Sequence, residues 1–273
     1  MGTGRGAKQQ AAKRGAAPRR RTLLIGAAAA LVLLAAAGGA LWYATRGDAA
    51  PRTLRAVVVD QLAQTDKNPA FISGTIDTLK SAGYVVDYVP PEQVTVEFYR
   101  TLPTKHYDLV ILRSHSTSDR TSVDTATGAV TKSHLVALFT NEVYSTSSYT
   151  DEQRANQLAK AYYPTDPQGT RYFSIDPDFL RVAAAGRFAG STIVLMGCAG
   201  LSTDTMASAF RDKGAATFIS WDAEVTAAHT DKAAEALVRH LVTDRLPAAE
   251  AVAKTMAEVG PDPQFGAKLL AYP

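Results

Sequence analysis

Cysteine is nearly absent: Cys198 is the only one among 273 residues. One thiol excludes an internal disulfide and any zinc site built from several cysteines. No phosphate-cradling loop of the GxGxxG or GxxxxGK[ST] type occurs, so a nucleotide site has no support. Internal repeats are missing as well. Residues 1–21 contain no acidic side chain, only Arg5, Lys8, Lys13, Arg14, Arg19, Arg20 and Arg21 among mostly Gly, Ala and Gln. Such a stretch cannot bury apolar surface and is expected to be a disordered cationic tail on the cytoplasmic side. Setting aside those seven and Arg46 leaves 21 of the 29 basic residues against 26 acidic ones. The body is therefore mildly acidic, which removes the case for nucleic acid as a partner.

Charge is lacking again over residues 22–45, "TLLIGAAAALVLLAAAGGALWYAT". At about 1.5 Å per residue, a helix of that length spans a hydrocarbon core of roughly 30 Å. Trp42 and Tyr43 fall at its far end, where aromatic rings favour the interface. The expectation is a transmembrane signal anchor: a single-pass protein of the cell membrane, N-terminus cytoplasmic, C-terminal domain extracytoplasmic. A cleaved signal peptide with a secreted product is the alternative, since "ALWYA" offers small residues for cleavage. Residues 46–53 form a linker.

What is present after residue 53 is a regular alternation. "LRAVVVD" (54–60) is a compact β-branched run, a buried strand. In "NPAFISGTIDTLKSAG", Asn68 can cap a helix, Pro69 suits its first position and Gly83 ends it. "YVVDYV" is a second strand, "EQVTVEFYRTL" a short helix or turn, and "YDLVILRSH" a third strand with an apolar centre. Residues 116–190 are less regular and are taken as an insertion. It holds a hairpin around Thr127-Gly128, a helix over "TDEQRANQLAKAYY" and a short helix over "DPDFLRVAAAG". The pattern resumes with the strand "STIVLMG", the helix "LSTDTMASAFRDKG", the strand "AATFISW" and two amphipathic helices. The closing "VGPDPQFGAKLLAYP" is expected as an irregular tail. This order implies an α/β fold over 54–273, with a mostly parallel central sheet and helices on both faces.

In such folds, sites gather beyond the carboxyl ends of the strands. Two chemically capable residues stand there: His115 after "YDLVILRS" and Cys198 after "STIVLMG". If the two strands are neighbours, their ends bring imidazole and thiol together. An imidazole raises the thiolate fraction and protonates a leaving group. The helix after Cys198 would favour a thiolate or an oxyanion, and Gly197 and Gly200 allow close approach of backbone amides. The plainer alternative is that Cys198 is a small core residue. His240, His134 and His106 are assigned to packing or surface, and His229 lies near the start of its helix. Arg113 and Asp119 flank His115. Nothing implies a metal or a cofactor.

A strand ending in His followed by a later strand ending in Cys resembles the plan of the caspase-like cysteine peptidases, the group of clostripain, gingipains, legumain and separase. "DLVILRSHS" is similar to their histidine strand, and "IVLMGCAGLSTDTMASAFRDKGAATFISWDAEV" to their cysteine strand, helix and next strand. The segment "GAATFISWDAEVTAAHTDKAAEALVRHL" resembles the one after the cysteine in gingipain-like and CHAT-like domains. The resemblance implies a three-layer caspase-like sandwich, with Cys198 as nucleophile and His115 as general acid/base. Oxyanion amides would come from Ser116, Gly197 and Cys198, and a substrate pocket from Trp221, Asp222 and Glu224. Where many members carry glycine after the histidine, this chain has Ser116. The implied function is a membrane-anchored extracytoplasmic cysteine endopeptidase acting on a peptide or protein. A catalytically inactive caspase-like interaction module, and a flavodoxin-like ligand-binding domain, are the alternatives.

Overall fold

β-branched side chains dominate β1 (Leu54–Asp60), whose last five residues are all buried. β1 pairs in parallel with β2 (Tyr84–Val89) on one side and β3 (Leu109–Arg113) on the other. A computed structural model describes residues 52–123, 127–163 and 168–273. The cationic tail at 1–21, the apolar stretch at 22–45 and most of the linker lie outside the described residues. Among the described residues no helix is long and apolar enough to cross a membrane. Thr53–Pro273 pack as one unit.

The main sheet has six strands in the order β10-β9-β8-β3-β1-β2. β8 (Thr192–Leu195) pairs in parallel with β3, and β9 (Thr217–Trp221) in parallel with β8. β10 (Leu269–Tyr272) is the exception, antiparallel to β9 at the edge. The closing segment expected as an irregular tail is thus partly a strand, too short and too close to Pro and Gly to stand out in sequence.

Alternate residues of each strand feed two cores, as the period of two requires. Ala56, Val58, Ile111, Val194 and Ile219 pack with α1 (Pro69–Ser81), α5 (Ala227–Val238) and α6 (Ala248–Val259). Val57, Val59, Val110, Leu112 and Ile193 face the other way. They pack on α2 (Val96–Thr101) and α4 (Thr205–Asp212), through Tyr99 and Phe210 among others. Helices therefore cover both faces of a mostly parallel sheet. The start of α1 is set locally: the Asn68 side chain accepts the Phe71 amide, and Pro69 follows it.

Residues 116–190 build a second, antiparallel sheet of four strands, ordered β4-β5-β7-β6. β4 (Ser116–Val123) and the long β5 (Val130–Val143) form the expected hairpin. The helix expected over 150–163 is only α3 (Thr150–Arg154), and the chain then extends as β6 (Leu158–Ala161) beside β7 (Tyr172–Ile175). "LAKAYY" alternates as well as it spirals, and pairing with β7 decides for the strand. The short helix after Pro177 is a π-turn at Phe179–Ala183.

Candidate active site

β3 and β8 are hydrogen-bonded neighbours, so their carboxyl ends emerge side by side. His115 follows the first and Cys198 the second, and both line one small cleft of about 50 Å³ with Leu62, Ser114 and Val225. The two strand ends touch. Ser116 Oγ–H donates to the Cys198 carbonyl at 2.6 Å. Gly197 lies so close that a Cβ there would overlap both Ser116 Oγ and the Ser114 carbonyl. Gly200 is likewise pressed against the Ser220 side chain. Both glycines therefore have a packing reason to lack a side chain.

The backbone around the sulfur departs from the expected helix start. α4 begins only at Thr205, and Cys198 sits in a turn in which Ala199 is left-handed, φ 52°. The helix that follows Cys198 in sequence therefore does not start at the thiol. The Ala199 amide is spent on the Ala223 carbonyl at 2.8 Å, whereas among the described residues the Gly197 and Cys198 amides donate to no backbone carbonyl. Below the turn, Trp221 Nε1–H donates to Thr230 Oγ1, which donates to the Met196 carbonyl, both at 2.9 Å. That relay fastens α5 to the end of β8. The alternation of the β4–β5 ladder adds one more amide. Phe139 N–H bonds the His115 carbonyl, so the Ser116–Leu138 pair is the non-bonded kind and the Ser116 amide points away from β5.

Cys198 Sγ donates weakly to the Val225 carbonyl at 3.5 Å. Burial pushes the thiol pKa up, and the carboxylates of Glu224 and Asp262 push the same way. His115 is half-buried, its ring against Tyr163 and Phe139, with centroids 4.9 and 5.8 Å away. Nε2 meets Thr65 Oγ1 at 2.7 Å. Burial, then the neighbouring Arg113 guanidinium, lower the His115 pKa to about 4, and Asp66 opposes them. The resting pair is therefore a neutral thiol and a neutral imidazole, and no hydrogen bond joins them.

That depressed imidazole makes stability pH-dependent. Between pH 6.5, where the unfolded chain takes up the proton, and about pH 4, where the folded one does, the unfolded state binds more protons. Stability then falls as pH is lowered through this window, by at most about 3.5 kcal/mol at about 1.4 kcal/mol per unit. Urea midpoints against pH check this: His115→Gln flattens the slope between pH 4 and 6.5, and parallel profiles for variant and wild type contradict it.

The other expected site residues are placed as follows. Trp221 is 1 % exposed, in the core, with the His229 ring 5.4 Å away. Asp222 accepts the Lys268 amide at 2.8 Å and so fastens β10 to β9. Glu224 is exposed, close enough to Cys198 to act on its proton. Arg113 is fully buried between Asp60 and Asp231, each at 2.8 Å. Asp119 pairs with His134 at the surface, and His240 is buried against Asp244 and Glu258. Among the described residues no group of three or more His, Cys, Asp and Glu is placed to hold a metal ion.

Two residues escape sequence reading. Gln61 is wholly buried; its Oε1 accepts the His115 amide at 2.7 Å, and its Nε2 donates to Asn141 at 2.8 Å and Tyr163 at 3.0 Å. Thr65 holds the imidazole. Both sit in or just after the single 3₁₀ turn following β1 (Gln61–Gln64). The one available signal was that this turn leaves the carboxyl end of the strand next to β3. Comparison with family models and with curated proteins yields no match to the chain.

Proposed function

We propose that the chain is a cysteine hydrolase of caspase-like architecture that cleaves peptide bonds with Cys198 and His115. One observation carries this reading: neighbouring parallel strands β3 and β8 deliver an imidazole and the chain's only thiol into one cleft. Because both groups are neutral at rest, His115 acts as a general base rather than as half of an ion pair. The thiol proton passes to the imidazole as Sγ attacks the scissile carbonyl carbon. The carbonyl oxygen becomes an oxyanion facing amides drawn from Ser116, Gly197 and Cys198. Collapse breaks the C–N bond, and the leaving amine takes the proton from His115. Water then adds to the thioester, gives a proton to His115 and releases the acid, and the thiol recovers its proton.

Glu224, exposed and near Cys198 though not lining the cleft, offers a carboxylate that suits a basic substrate side chain. Trp221 and Asp222 have other work, in the core and at the sheet edge. In this reading residues 22–45 hold the domain at the outer face of the cell membrane. The missing Sγ–imidazole hydrogen bond and the raised thiol pKa favour a second reading, a non-catalytic interaction module of the same architecture.

Mixed peptide libraries incubated with the full chain separate the two. Cleavage by wild type that disappears in Cys198→Ala and in His115→Ala, with unchanged melting, supports the hydrolase. Wild type that cleaves nothing, or Cys198→Ala that still cleaves, leaves the interaction module in its place.

A further inference from the structure

Walls without charge surround the reacting pair. Leu62 from the turn after β1, Met196 at the end of β8, and Val225 and Ala227 at the approach to α5 line the cleft with apolar surface. Ser114 and Thr230 line it too, and each hydroxyl already has an acceptor within the protein. Ser114 Oγ–H lies 3.0 Å from the His115 carbonyl, and Thr230 Oγ1–H donates to the Met196 carbonyl at 2.9 Å. Among the described residues no Asp, Glu, Lys or Arg lines the cleft. A charged side chain placed there would lose its water and meet no counter-ion, which is strongly unfavourable. An amide or carboxylate would find no side-chain donor apart from the reacting pair. Size narrows the choice further. An apolar cavity of about 150 Å³ holds benzene. This cleft has about 50 Å³, room for roughly one to three methyl-sized groups.

Position decides which substrate residue the cleft serves. Sγ must come within about 3–3.5 Å of the carbonyl carbon it attacks, and the Cβ of that same residue is two bonds further on. Its side chain therefore falls beside the sulfur, where the cleft lies. We infer that this cleft receives the side chain of the substrate residue whose carbonyl Cys198 attacks, and that this side chain is small and apolar, between alanine and valine in size. The inference rests on the hydrolase reading. A basic side chain meets Glu224 only from a neighbouring substrate residue, outside the cleft. Val225 and Ala227 then determine specificity, because their side chains bound the space.

The test uses the full chain and N-acetyl-Gly-Gly-X chloromethyl ketones, with X glycine, alanine, valine, leucine, phenylalanine, lysine or aspartate. Cys198 is the only thiol, and Cys198→Ala supplies the blank. Alkylation forms an S–C bond, expels chloride and releases the thiol proton, and intact mass follows it. Each rate is divided by that of the same probe with free cysteine. The alanine and valine probes are expected to react faster than those with leucine, phenylalanine, lysine or aspartate, on the order of tenfold to a hundredfold. Ala227→Leu narrows the cleft and moves the preference to glycine, and Val225→Ala widens it and admits leucine. Uniform rates in wild type overturn the inference whether or not either variant folds, as does a fastest probe carrying anything but alanine or valine. Folded variants that leave the order of probes unchanged overturn it too. Peptide libraries cleaved at other residues, and only there, remove the inference and leave the hydrolase standing. A protein that cleaves nothing while the probe order holds keeps this chemistry for the cleft and loses only the hydrolase reading.

Discussion

Replacing Arg113 with methionine is expected to cost about 3–5 kcal/mol of stability, because it strands buried carboxylates without their cation. The guanidinium has no exposed side-chain surface, and its partners Asp60 and Asp231 have only 4 and 6 %. Asp231 accepts from Nε and Nη2 together, Asp60 accepts from Nη1, and the Asp66 carbonyl takes a further bond. One cation thus ties the end of β1, the end of β3 and the body of α5. Against a net stability of typically about 5–15 kcal/mol, the loss is large, and a urea midpoint reads it directly. Adding Asp60→Asn and Asp231→Asn should return part of the loss, since the stranded charges go with them. A second readout follows from the field: without the guanidinium, the His115 pKa rises. An Arg113→Met variant with an unchanged midpoint contradicts the buried ion network.

Gly197→Ala is expected to do more damage than its one methyl group suggests. The new Cβ meets the Ser116 hydroxyl, which could rotate, and the Ser114 carbonyl, which could not. Relief requires the end of β8 to back away from β3. Overpacking of this kind costs roughly 1–3 kcal/mol. The same movement breaks the bond from Ser116 Oγ–H to the Cys198 carbonyl and shifts the sulfur relative to the imidazole. Hydrolysis should fall by about 10²-fold for a displacement near 1 Å. Gly74 is the control: nothing lies within 4 Å of its added Cβ, and alanine inside α1 should stabilise by roughly 0.5–1 kcal/mol. If the two substitutions behave alike, the seam between the strands is looser than described.

The central strands were legible because burial on both faces leaves continuous apolar runs, such as "AVVV" and "LVIL". The places of His115 and Cys198 were legible for the same reason, since both interrupt the runs where strands stop. Asn68 and Pro69 announced α1 through local hydrogen bonding alone. What stayed hidden depends on contacts between distant segments. Gln61 and Thr65 are ordinary polar residues until β1 pairs with β3 and lays their turn over His115. The thiolate-favouring helix assumed after Cys198 was misplaced because apolar periodicity does not mark a helix start, and α4 waits until Thr205. Trp221 ends a strand and Asp222 follows it, places where site residues are often found. Only α5 and β10 reveal that one fills the core and the other fastens an edge.

The parked thiol has a consequence for durability. Peroxide attacks thiolates, and susceptibility follows thiolate character and access. Cys198 rests half-buried and protonated, turned toward the Val225 carbonyl. With no second cysteine in the chain to resolve a sulfenic acid, oxidation of this sulfur would have no internal remedy. The arrangement that keeps this thiol protonated also lengthens the life of a sulfur that the chain cannot repair.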